Sequence, residues 1–249
     1  MSEFRYTRPN SFPPIVKNLI IINVLVWLAQ ALLDKQYAIT EKLVMWPIMP
    51  EKLHQLLVQA NALEESQKFN PYQIATHLFA HAPPPTFYHI LFNMFALWMF
   101  GRILENVWGA KRFLFFYLAC GVGAAALHLA IQYFRCEQLL QDFANNDFNA
   151  IKSHLGAAAP ALGASGAIMG VMAAFAYTFP NTELYIMFIP VPVKAKWAIL
   201  GLAAIDLFGG VASISGDNIA HFAHLGGAIQ GLLLYIIGTK PIEKRCISG

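Results

Sequence analysis

The side chains in this 249-residue sequence best suited to covalent chemistry are a serine between glycines, two histidines a turn apart, and a histidine–asparagine pair. Ser165 stands in LGASGAIMG (162–170), His221 and His224 in AHFAHLGGAIQG (220–231), and His89 and Asn93 in HILFNMF (89–95). A serine hydroxyl becomes a nucleophile when an adjacent base takes its proton, and imidazole is a common base. Residues four apart share one face of a helix, so His89 and Asn93 can both aim N–H groups at a developing oxyanion. Each feature also has a plainer reading. Glycines around a serine make a helix-packing face, a buried histidine can bond a backbone carbonyl, and the His–Asn pair can join two helices.

Composition decides where such residues would work. The chain is 57% hydrophobic and 12% charged, with a mean hydropathy of +0.49. Soluble domains carry about 25% charged residues, so an integral membrane protein is expected. The net charge of +3 is small, and without a basic cluster no nucleic-acid partner is expected. Cys120, Cys136 and Cys246 are odd in number and lack a CxxC pair, which argues against a disulfide framework or a zinc site. The absence of HExxH argues against a zinc metalloprotease, and no cofactor is implied. Alanine at position 167 breaks GxSxG, which excludes a soluble hydrolase elbow.

Six apolar stretches, at 16–33, 87–105, 111–134, 163–179, 195–212 and 218–238, approach the roughly 17–25 residues that span a bilayer. The polar, proline-bearing start reads as a cytoplasmic segment, 1–15, before a retained first helix, and 239–249 as a cytoplasmic tail. Between the first two stretches lies a long loop, 34–86. It contains a helix-like run, EKLHQLLVQANALEE, and an amphipathic NPYQIATHLFAHAPPP broken by Pro83, Pro84 and Pro85. Such a segment is expected to lie at the membrane interface. The other sizeable loop is expected at about 135–162. Eleven of the seventeen lysines and arginines, including Lys17, Arg102, Lys111, Arg112, Lys194 and Lys196, fall on one side of the resulting topology. Short basic segments mark the cytoplasmic side, so both termini are expected in the cytoplasm.

In that topology the second, fourth and sixth helices run in the same direction. At 1.5 Å per residue, His89, Asn93, Ser165, His221 and His224 all lie within roughly 10 Å of the non-cytoplasmic ends of their helices. Polar side chains inside a membrane face the bundle interior and mark function. Gly166 and Gly170 form one GxxxG face, and Gly227 and Gly231 a second, which allows two helices to approach closely. Ser165 precedes the first motif by one residue and His224 the second by three. The packing reading and the catalytic reading are therefore compatible. Gly163 and Ala164 mark a turn that starts the fourth helix at the serine, where unpaired N–H groups and the helix dipole favour negative charge. His221 reads as a support or water ligand. Asp206, the one acid well inside a helix, either orients His224 or ties its helix to the next loop, the second being favoured.

With HxxxN at His89 and Asn93, GxSGxxxG around Ser165, AHxxGxxxG around His224, and the basic linker FGRILENVWGAKRFLFFY, the chain resembles the rhomboid intramembrane serine proteases over about residues 71–235. The resemblance implies an all-α polytopic membrane protein, a six-helix bundle at 16–238 that cleaves transmembrane segments of single-pass or polytopic membrane proteins. It implies Ser165 as nucleophile and His224 as base, a dyad without an aspartate. His89, Asn93 and the Ser165 N–H would form the oxyanion hole, with His221, Gly163, Gly166 and Gly227 in support. Phe92 and the 194–212 segment would form a lateral gate. A bacterial plasma membrane is expected from the compact six-helix form. Two rivals remain: an inactive rhomboid-like binding protein, and a transporter lined by His89, His128, His221 and His224.

Overall fold

All six apolar stretches form helices in the computed structural model, which describes residues 10–185, 191–211 and 220–238. Their bounds are α1 (Pro14–Tyr37), α2 (Phe87–Trp108), α3 (Ala110–Ala144), α4 (Ser165–Thr178), α5 (Ala195–Val211) and α6 (Ala220–Gly238). Residues 1–9 of the expected segment 1–15 and the expected tail 239–249 lie outside the described residues, as do 186–190 and 212–219. Four of the six, α1, α2, α3 and His221–Gly238 of α6, are long and apolar enough to cross a membrane. With 14 residues, α4 measures about 21 Å. It is enclosed by protein instead, with every residue from Gly166 to Val171 and from Ala173 to Ala176 buried. The helices around it turn apolar side chains outward: Leu25 and Leu32 on α1, Leu200 and Phe208 on α5, Leu233 and Ile237 on α6 are all exposed. Such faces suit hydrocarbon as solvent, since every helical N–H and C=O is satisfied within its own segment.

The core opposite α4 is aromatic. Phe100 and Phe175 meet edge to face at 5.0 Å, and Phe113 and Tyr117 of α3 are fully buried behind them. The N-terminus of α1 is closed from another helix. Both carboxylate oxygens of buried Glu105, on α2, accept hydrogen bonds, at 2.9 Å from the Ile15 N–H and 2.8 Å from the Val16 N–H. A carboxylate at a helix N-terminus is favoured by the dipole as well as by the bonds. Glu105→Ala would leave these donors unpaired and is expected to cost about 2–3 kcal/mol, measured as a lower midpoint in a denaturant titration of the purified protein.

Two loops differ from expectation. The connection from α3 to α4 does not begin at 135, because α3 continues to Ala144, a 35-residue helix. Residues 135–144 hold Glu137, Gln138, Gln141 and Asp142, polar helix formers that continue the helix beyond the apolar stretch. Inside the long loop, the helix-like run forms only over Glu51–Gln59, after which Asn61 takes a left-handed conformation. Leu53 and Leu57 of that helix pack on Cys136 and Leu139 of the α3 extension and on Ala157 and Ala158. The two loops therefore share a small core of their own. Among the described residues the strands are a two-residue antiparallel pair, β1 (Glu183–Leu184) and β2 (Val193–Lys194), before α5.

Candidate active site

Ser165 is the first residue of α4, and the turn before it explains why. Gly163 has φ +117°, a conformation that side chains disfavour, and its N–H donates to the His77 carbonyl at 2.9 Å. The chain reverses there and starts the helix with the serine exposed to one side. The N–H groups of Ser165, Gly166 and Ala167 belong to the helical turn that lacks intrahelical acceptors.

Helix α6 lies against α4 along the two glycine pairs. A Cβ on Gly227 would overlap the Gly166 carbonyl oxygen, and one on Gly231 would come within 2.6 Å of the Gly170 carbonyl oxygen. Reciprocally, a Cβ on Gly170 would lie 2.8 Å from the Gly227 oxygen and 2.5 Å from Cys120 Sγ of α3. Gly226 packs on Gly123 and Ala124 of α3 in the same manner. At this spacing the Ser165 hydroxyl donates to His224 Nε2, with 2.9 Å between Oγ and Nε2.

The other nitrogen of His224 is also engaged. Its Nδ1 lies 3.0 Å from Asp206 Oδ1 on α5, and His221 Nδ1 lies 2.7 Å from the same oxygen. Asp206 thus contacts both histidines of α6, while the loop after α5, to which it was expected to tie its helix, lies outside the described residues. A metal ion could use the same three residues, since their ligand atoms all lie within 4.8 Å of one another. In the structure those atoms bond one another.

His89 reaches the site from α2. The Ala82 N–H donates to His89 Nδ1 at 3.2 Å, so in the neutral ring the hydrogen sits on Nε2. That nitrogen lies 3.2 Å from where a Gly163 Cβ would be, a point 3.8 Å from Ser165 Oγ. Asn93 is buried below, its amide nitrogen donating to the His89 carbonyl at 2.8 Å. A cavity of about 770 Å³ opens beside the serine, lined by Ser165, Gly163, His89, His77, His128 and Met45 among others. Neither Asn93 nor Phe92 is part of that lining. Phe92 is half exposed on the outer face of α2.

Residues 68–241, well over half of the chain, match the family model of the rhomboid domain. The chain belongs to the rhomboid family. This rhomboid is 30% identical over 159 residues to Rhomboid protein 1, mitochondrial, of Saccharomyces cerevisiae, which covers 64% of this chain and 40% of that one. It is 31% identical over 159 residues to the human presenilin-associated rhomboid-like protein, mitochondrial, covering 64% and 36% of the two. With rhomboid protease AarA of Providencia stuartii it shares 28% identity over 163 residues, 59% of this chain and 50% of that protein. The chain thus spans half or less of the length of these relatives. Family membership and the apolar helices make it an integral, multi-pass membrane protein.

Sequence reasoning about this rhomboid missed the residues that hold His89 and Gly163 in place. Buried Gln30 of α1 accepts from the His81 N–H at 3.0 Å and donates to the His81 carbonyl at 3.0 Å. This fixes the loop segment that delivers the Ala82 N–H to His89. The His81 and His89 rings are 5.2 Å apart. The available signal was His77 and His81, four apart ahead of a proline run. Burial, with His89 as the smaller cause, pulls His81 down to about 4, and burial also lowers His77. A histidine kept neutral by the fold takes up protons more readily when unfolded. Its contribution is therefore complete above about pH 6.5 and is lost as pH falls toward 4. For His81 the loss by pH 5 is expected to be about 2 kcal/mol. Thermal unfolding in detergent at pH 7.5 and pH 5 measures it, and His81→Gln should flatten the difference.

Proposed function

We propose that this rhomboid is an intramembrane serine endopeptidase, with Ser165 as nucleophile and His224 as general base. The observation that carries the reading is the 2.9 Å contact between Ser165 Oγ and His224 Nε2 at the start of α4, beside a cavity large enough for an unwound peptide. His224 takes the hydroxyl proton as Oγ bonds to the scissile carbonyl carbon. The negative charge moves to the carbonyl oxygen, where the Ser165 N–H and the His89 Nε2–H are the donors, and Asn93 holds His89's turn of α2. One such donor contributes about 3–4 kcal/mol of transition-state stabilisation. His224 then gives the proton to the leaving amine. A water from the cavity, deprotonated by the same imidazole, attacks the ester carbonyl and restores the serine.

The substrates would be membrane proteins within the bilayer, in keeping with the rhomboid domain and the apolar helices, and one relative, AarA, is named a rhomboid protease. A peptide bond inside a transmembrane helix is shielded by its own hydrogen bonding, so substrate must unwind to reach Ser165. Entry between α2 and α5, past Phe92, would serve this. The basic segments support both termini lying in the cytoplasm. Two of these relatives are named as mitochondrial, so the expected bacterial plasma membrane draws no support from them.

A fluorophosphonate probe tests the reading. It should label the purified protein once, at Ser165, and His224→Ala should abolish labelling while the protein stays folded. A protein that cleaves no reporter transmembrane segment in liposomes and takes up no probe would remove the protease assignment.

A further inference from the structure

We propose that Asp206 is a positioning residue for His224, so that the reactive unit is a hydrogen-bonded chain of carboxylate, imidazole and hydroxyl supplied by three helices. The inference rests on the protease reading of this site and extends it beyond a serine–histidine pair. A carboxylate inside an apolar helix is costly and calls for compensation. Asp206 is 7% exposed, and two imidazoles converge on its Oδ1, at 2.7 Å from His221 and 3.0 Å from His224.

Joining α5 to α6 would require only one of those bonds, and His221 makes the shorter. The second bond goes to the nitrogen of His224 that faces away from Ser165. A carboxylate only accepts, so His224 Nδ1 must carry the hydrogen. Nε2 is then left with its lone pair toward the Ser165 hydroxyl, the tautomer a base requires. As the proton arrives on Nε2, the imidazolium forms beside a carboxylate already in place. Without Asp206 the ring would divide between two tautomers, one of them unable to accept the proton.

His221 has a separate part: it holds the carboxylate. Room for its ring comes from Gly209, one turn beyond Asp206 on the same face of α5, where a Cβ would lie 2.6 Å from His221 Nε2. Because Asp206 rides on α5 and His224 on α6, the chain is complete only while those helices are packed together.

The test compares wild type, Asp206→Ala, Asp206→Asn and Ser165→Ala, reconstituted in liposomes, by cleavage of a reporter transmembrane segment. In parallel, ¹⁵N-histidine NMR reads the His224 tautomer. We expect Asp206→Ala to lower kcat by about 10³- to 10⁴-fold, with KM changed less than about twofold. Added formate should restore part of the rate in Asp206→Ala and none in Ser165→Ala. The His224 Nδ1 hydrogen should be present in wild type and displaced in Asp206→Asn. A kcat within about threefold of wild type would overturn the proposal. So would a loss of cleavage that formate leaves unchanged while Nδ1 stays protonated. If wild type itself cleaves nothing, the protease reading fails and the NMR comparison still decides whether Asp206 sets the tautomer. Should Asp206→Ala not fold, near-isosteric Asp206→Asn carries both measurements.

Discussion

Ser165→Ala is expected to abolish cleavage of a reporter transmembrane segment, with a fall in kcat of about 10⁵- to 10⁶-fold and an unchanged fold. Removing the serine or the histidine alone from a serine protease costs about as much as removing the whole catalytic set, because the residues act as one unit. The same is expected of His224→Ala, and the double variant should be no worse than either single one. The fold should survive because the alanine loses only the 2.9 Å bond to His224. The buried face of α4, from Gly166 to Val171, is untouched. Cleavage in liposomes, with thermal unfolding as the control, measures both halves of the expectation. Normal turnover by Ser165→Ala would place the nucleophile elsewhere.

The second large effect is on packing. A side chain at position 227 would place its Cβ against the Gly166 carbonyl oxygen. That atom is backbone at the start of α4 and cannot swing aside. Gly227→Val must therefore separate α4 from α6, which also separates Ser165 from His224. Overpacking typically costs 1–3 kcal/mol and more where backbone must move, so about 3 kcal/mol or more is expected here, together with loss of probe labelling at Ser165. Gly201→Ala supplies the contrast, since nothing lies within 4 Å of a Cβ at that position of α5. It should be neutral or stabilise by up to about 1 kcal/mol through helix propensity. Unfolding midpoints of the two variants, measured side by side, distinguish close approach from a general dislike of larger residues in these helices.

Much of the architecture was legible because a membrane-spanning helix satisfies its hydrogen bonds locally, and its apolar run is visible in one dimension. The positions of α1 to α6 and the glycine faces of α4 and α6 are of this kind. So is the meeting of Ser165 with His224, which follows once Gly166 and Gly170 face Gly227 and Gly231. The extension of α3 to Ala144 was not legible. Hydrophobicity ends near residue 134, whereas helicity continues on polar helix formers, and Leu53 and Leu57 pack there from a helix some eighty residues earlier.

What the sequence determined by itself is a set of helices, the glycine faces that bring two of them together, and the depth at which their polar residues lie. Tertiary structure alone decided which nitrogen of each histidine is engaged. Ala82, held through His81 by Gln30, leaves the hydrogen of His89 on Nε2, and Asp206 bonds His224 at Nδ1. These partners come from segments up to 51 residues apart in the chain. Their meeting depends on how each helix is rotated and where each loop crosses, which no local pattern of residues encodes.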